Sequence, residues 1–175
     1  NLNELYISAA KNRLYARQGR AATNREALRV KELFLADSLL TEQYHTELAG
    51  GKWNHMMSQT HIGYTYWQQP EQNNIPVTSE ISLPEIAEMG VAIENSNQAW
   101  PESEEEAILP GFDALNQQEY YIEIFNRGKL DFNCTINPDV AWIIPSKTSL
   151  TIDTQERIYL AINWTEVPDG FHTAG

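Results

Sequence analysis

The period at which apolar residues recur changes along this chain, and that change limits what it can fold into. Leu2, Leu5, Tyr6, Ala9, Ala10 and Leu14 follow the three- and four-residue spacing of one helix face. From about residue 88 the pattern shortens to alternation in brief runs, as in Phe132, Cys134 and Ile136 against Asn133, Thr135 and Asn137. Helical period first, strand period last and no internal repeat predict an α+β fold: N-terminal antiparallel helices of a helical bundle, followed by an antiparallel immunoglobulin-like β-sandwich.

Local signals set the expected boundaries. Gly19 stops the first helix. Thr23 and Glu26 have the spacing of a capping box, so the second helix is expected from Asn24 to Leu48, ended by Gly50-Gly51. Its apolar set (Leu28, Val30, Leu33, Phe34, Leu35, Leu39, Leu40, Tyr44 and Leu48) is too broad for one neighbour and predicts packing against further elements, some outside this chain. Strands are expected at Met89–Ile93, Tyr120–Phe125, Phe132–Ile136, Ala141–Ile144 with a stop at Pro145, Leu150–Ile152 and Arg157–Trp164. Six strands are few for a complete sandwich, and a last one is expected from downstream sequence. The expected division is a helical segment over 1–52, an aromatic-rich connector over 53–87 and a β-sandwich over 88–175.

Charge narrows the partners. The 175 residues carry 12 basic and 24 acidic side chains, a net charge of −12, which disfavours a nucleic-acid backbone or an anionic membrane. The excess is uneven: residues 1–52 hold 8 basic and 6 acidic groups, whereas 53–175 hold 4 and 18. The run Glu102 to Glu106 reads as a solvated loop. No apolar run approaches the roughly 20 residues of a membrane span. A single cysteine, Cys134, excludes an intrachain disulfide and a multi-cysteine metal site, and its place beside Phe132 and Ile136 reads as a buried, inert thiol. Asn133-Cys134-Thr135 and Asn163-Trp164-Thr165 match the glycosylation sequon, but both fall inside expected strands and are read as unused. The first residue, Asn1, and the uncapped first helix are consistent with a cut inside a larger protein.

The connector from Lys52 to Pro70 holds two Trp, two His, two Tyr, two Met and three Gln. Aromatic faces against C–H surfaces, with amides and imidazoles against hydroxyls, are what a sugar ring requires; sealing the helical part to the sandwich is the competing use of the same side chains. His55 and His61 lie six apart, which is not the pair of a helical zinc motif. No metal and no cofactor are expected.

Trp53-Asn-His-Met-Met57, Gln59-Thr-His-Ile-Gly-Tyr64 and Trp67-Gln-Gln-Pro70 resemble a segment of glycoside hydrolase family 115, the xylan α-glucuronidases. Met89-Gly-Val-Ala-Ile-Glu94, Trp100-Pro101, Leu109-Pro-Gly-Phe-Asp113, Ile122-Glu-Ile-Phe-Asn-Arg-Gly128 and Ile158-Tyr-Leu-Ala-Ile-Asn-Trp164 are similar to its C-terminal region. The resemblance implies the end of a helical domain plus a β-sandwich, taken from an enzyme that removes (4-O-methyl)glucuronic acid from glucuronoxylan with inversion. Inversion needs two carboxyl groups about 6.5–9.5 Å apart. In the family these belong to the side of the catalytic barrel, which this chain does not contain, so no catalytic residue is assigned and the chain alone is expected to be inactive. Gln59, His61, Tyr64, Tyr66 and Trp67 are the candidates for substrate contact in the full-length enzyme. The implied partners are the remaining domains of that enzyme, glucuronoxylan or its oligosaccharides, and a second copy in a homodimer through helical segments. The implied location is periplasmic or secreted. A carbohydrate-binding module with Trp100, Trp142 and Trp164 as platform is the alternative, although Trp142 and Trp164 sit in strand phases that look buried. An independent enzyme would need two facing carboxylates, for which no spacing argues.

Overall fold

The computed structural model describes residues 1–175 and is α+β, with two helices and a short 3-10 turn ahead of six strands. The chain divides into two units: residues 1–17 with 22–81, and residues 18–21 with 82–175. Residues 53–81, set apart by composition, thus cluster with the helices.

In the first unit, α1 (Leu2–Arg17) and α2 (Thr23–Thr46) run antiparallel. Leu5 packs on Leu33 and Ile62, with Leu2 and Phe34 at the margin. The buried face of α1 is Leu5, Ser8, Ala9, Asn12 and Tyr15. Tyr6 and Ala10, expected inside, are exposed. The shift has a polar cause. Asn12 is fully buried and its Nδ2 donates to Thr23 O and to Ser79 O, both at 2.9 Å, while its Oδ1 accepts from Ser79 N at 2.8 Å. Asn24 repeats the device on Ile81, with both bonds at 2.9 Å. A carboxamide presents one donor side and one acceptor side, as a peptide group does. Two Asn side chains therefore stand in for a neighbouring strand, pairing with residues 79 and 81 of an extended segment.

Two boundary expectations are corrected. The N-cap of α2 is Ala22, which offers no side-chain acceptor, so Thr23 and Glu26 form no capping box. Thr23 is already helical and buried. The helix ends at Thr46, and the 3-10 turn Leu48–Gly51 follows, with Ala49 and Gly50 at positive φ. Of the broad apolar band, Val30 and Leu33 are buried, whereas Leu28, Leu35, Leu39, Leu40 and Leu48 are exposed. No helix is long and apolar enough to cross a membrane.

In the second unit, β1 (Met89–Ile93), β2 (Tyr120–Asn126), β6 (Gln155–Ile162) and β4 (Ile143–Pro145) form one antiparallel sheet in the order β1-β2-β6-β4. Strands β3 (Phe132–Thr135) and β5 (Ser149–Ile152) form a second. Ile124 and Ile158 of the larger sheet meet Ile152 of the smaller one, with Ile122, Phe132, Cys134, Ile136, Leu150 and Leu160 around them. Register explains the selection: Ile122 pairs with Ile158 and Cys134 with Leu150, so alternate residues share the inner face. Cys134 is half-buried, and burial pushes its thiol pKa up, as expected of an unreactive sulfur.

Strand β4 ends at Pro145, the expected stop, opposite Leu160, but begins at Ile143 because Ala141 and Trp142 lie in a turn; β4 is an edge strand, where a missing N–H costs no ladder bond. Strand β6 ends at Ile162, so Asn163, Trp164 and Thr165 lie beyond it, contrary to expectation, with Thr165 Oγ1 donating to Asn163 Oδ1 at 2.7 Å. Trp142 and Trp164 are half-buried rather than buried. On the outer face of the larger sheet, Phe125 is fully buried beneath Ala92 and Ala99. Its ring lies 4.3 Å from the Arg20 guanidinium carbon and 5.3 Å from that of Arg127. Arg127 holds Glu102 through both terminal nitrogens, and all four glutamates of the acidic run are exposed, as expected.

Candidate functional site: an anchored aromatic loop

Residues 59–74 leave the helices and return with no regular structure of their own. The base of this loop is closed by side chains. Thr60 Oγ1 donates to Pro70 O at 2.6 Å, and Asn73 Oδ1 accepts from both His61 N and Ile62 N at 2.8 and 2.9 Å. Asn74 N donates to Ile62 O at 3.1 Å. Gly63 N donates to the Tyr6 hydroxyl on α1 at 3.0 Å. Ile62, 1 % exposed, fills the core between Leu5 and Leu33. A loop held this way at its base presents its tip with little freedom to lose on binding.

The tip carries the predicted residues. Tyr64, Tyr66 and Trp67 are 41, 61 and 92 % exposed. Gln59 Nε2 donates to Gln69 Oε1 at 3.2 Å across the two arms, and Tyr66 OH donates to Gln68 Oε1 at 3.0 Å. Of the five candidates, His61 faces inward: its Nε2 lies 2.8 Å from Asp37 Oδ2 on α2 and its Nδ1 lies 3.2 Å from Gln59 O. Partial burial works against a charged ring here. The hydrogen bond to Gln59 O, that to Asp37 and the Asp37 charge outweigh it, and the pKa is raised above 6.5. His61 therefore anchors the loop, while Tyr64, Tyr66 and Trp67 are displayed by it.

Several residues that make this site carry no signal in the connector itself. Asp37 and Tyr6 lie on the helices, and Asn73 follows the last aromatic by six positions. Their contributions depend on contacts at sequence separations of 24, 57 and 12 residues. Outside the loop, Met57 N donates to His45 Nε2 at 3.2 Å, and the His45 and His55 rings are 6.3 Å apart. Met56 and Met57 are exposed beside them.

The loop over 59–74 carries one acid, the exposed Glu71, and Asp37 at its base is bonded to His61. The three tryptophans of the second unit do not make a comparable platform. Trp100 spends its indole N–H on Glu105 O at 2.6 Å, and all three are half-buried.

Comparison of the chain with protein-family models finds no match. A search of curated proteins finds none that matches either.

Proposed function

We propose that this chain is an accessory, non-catalytic C-terminal part of a xylan α-glucuronidase resembling glycoside hydrolase family 115, in which the loop over 59–74 contacts glucuronoxylan. Supporting this reading is one observation above others: Trp67 stands 92 % exposed on a loop whose base is closed by five hydrogen bonds from Thr60, Asn73, Asn74 and Gly63. Large exposed aromatics on a fixed frame suit the C–H faces of pyranose rings, and Gln59, Gln68 and Gln69 supply amides for hydroxyls. The two-sheet unit then serves as an immunoglobulin-like support within the parent enzyme, acting outside the cytoplasm on a polymer.

Isothermal titration with an aldouronic oligosaccharide tests the reading. Trp67→Ala should weaken binding by about tenfold, the loss of one stacked ring, while the unfolding free energy stays within about 0.5 kcal/mol because the side chain touches little. Equal affinities for the wild-type chain and the variant, or no heat of binding for either, would overturn it.

A further inference from the structure

Both acceptors around the His61 ring are obligate acceptors. Gln59 offers a backbone carbonyl to Nδ1 at 3.2 Å, and Asp37 offers a carboxylate to Nε2 at 2.8 Å. A neutral imidazole carries one N–H and satisfies one of them; an imidazolium carries two and satisfies both. The charged groups and phenols around the ring are few. From α2 comes Asp37, and from α1 comes the Tyr6 hydroxyl, bonded to Gly63 N two residues along the loop.

We propose that His61 is a proton-operated latch that fixes the aromatic loop to α2 when charged and slackens it when neutral. Loss of one proton leaves either the Gln59 carbonyl or the Asp37 carboxylate without a donor. The bond from the ring to Asp37 ties the loop to α2, as that from Gly63 N to Tyr6 ties it to α1, so its weakening leaves the arm that carries Tyr64, Tyr66 and Trp67 with one fewer tie to the helices. Partial burial opposes the ring's charge, but its hydrogen bonds to Gln59 O and Asp37, with the Asp37 charge, outweigh it and move the change above the ordinary histidine value of 6.5. This deepens the reading of the loop as a sugar contact: on that reading, affinity follows the latch and falls as pH rises.

The test uses the whole chain and two readouts that need no sugar. The first is NMR titration of the His61 ring, whose midpoint is expected above 6.5 in the wild-type chain and lower in Asp37→Asn. A wild-type midpoint at or below 6.5 overturns the latch without reference to any variant. The second is chymotryptic cleavage after Tyr64, Tyr66 or Trp67, normalised to a peptide of the same segment. Between about pH 5.5 and pH 8.5 the wild-type rate should rise about threefold or more, while Asp37→Asn is cut at a nearly constant, faster rate. A wild-type rate that does not change overturns the proposal. Sugar affinity measured at the same two pH values separates the ideas: a working latch with no sugar binding refutes the function and spares the latch, and pH-independent binding with an ordinary His61 midpoint does the reverse.

Discussion

Arg20, 1 % exposed, donates from Nη1 to Glu123 Oε2 at 2.7 Å. The other carboxylate oxygen of Glu123 accepts from Arg157 Nη2 at 2.8 Å, and Arg20 Nε donates to Gln18 Oε1 at 2.6 Å. A buried guanidinium is tolerated only while its counter-charge and hydrogen-bond acceptors stay in place. Glu123→Gln keeps the shape and removes the charge. It should destabilise the second unit by about 3 kcal/mol, read from its urea-unfolding transition. A cost below about 1 kcal/mol would mean that Arg20 finds its support elsewhere.

The same carboxylate sets an acid limit on the second unit. Burial alone would raise the Glu123 pKa; hydrogen bonds from Arg157 and Arg20, with their charges, outweigh it and hold the pKa below 4.5. A depressed folded-state pKa contributes stability that is complete above the unfolded value of 4.5 and is lost as pH falls through the folded value. Urea midpoints of the wild-type second unit should therefore decline below pH 4.5 with a slope that Glu123→Gln lacks. Parallel slopes in the two proteins would remove Glu123 from the account.

The two Asn side chains that pair with the extended segment differ in burial, which separates their expected costs. Asn12 is fully buried and serves Ser79 and Thr23, so Asn12→Ala strands the Ser79 N–H and takes a donor from the Ser79 and Thr23 carbonyls. That should cost about 2 kcal/mol in the first unit. Asn24 is half-buried, and water can replace its bonds to Ile81, so Asn24→Ala should cost about 1 kcal/mol. Hydrogen exchange at the Ser79 and Ile81 amides checks the assignment: each variant should deprotect its own partner more than the other. Simultaneous loss of both amides in either variant would show a single cooperative segment instead of two clasps.

All six strands were legible in the sequence, those around Cys134 and Ile158 by the alternation that burial on one face writes, and those at Met89–Ile93 and Ala141–Ile144 as short apolar runs. What failed were features set by neighbours. Ala141 and Trp142 read as the start of β4 but lie in a turn ahead of it. Thr23 reads as a cap but is preceded by a residue already in helical geometry, Ala22. The inner face of α1 was displaced because Ser8 and Asn12 are polar yet buried, and hydropathy cannot register that Asn12 spends its amide on Ser79. At the site, the resemblance singled out Tyr64, Tyr66 and Trp67, which the structure exposes. It placed His61 among the contacts because an imidazole beside aromatics suits a sugar as well as an anchor, and only the position of Asp37 distinguishes the two.

Gly63 separates the loop's frame from its contact surface. Its φ is +100°, and a Cβ there would lie 2.9 Å from Asn74 Cβ. Both facts act against any side chain: the backbone angle is one that L residues rarely adopt, and the nearest obstacle is the root of a side chain rather than a movable end. Asn74 cannot retreat freely, because its N–H is the donor to Ile62 O and the preceding Asn73 holds His61 and Ile62. Gly63→Ala should therefore cost the first unit about 2 kcal/mol and loosen the base of the loop, with faster amide exchange at Ile62 and Gly63's neighbours. On the reading of the loop as a sugar contact, it should also weaken oligosaccharide binding although residue 63 need not touch the ligand, whereas Trp67→Ala weakens binding at unchanged stability. If Gly63→Ala unfolds no more readily than the wild-type chain, the loop is not held at this point, and the fixed frame on which the tip's recognition role depends is lost with it.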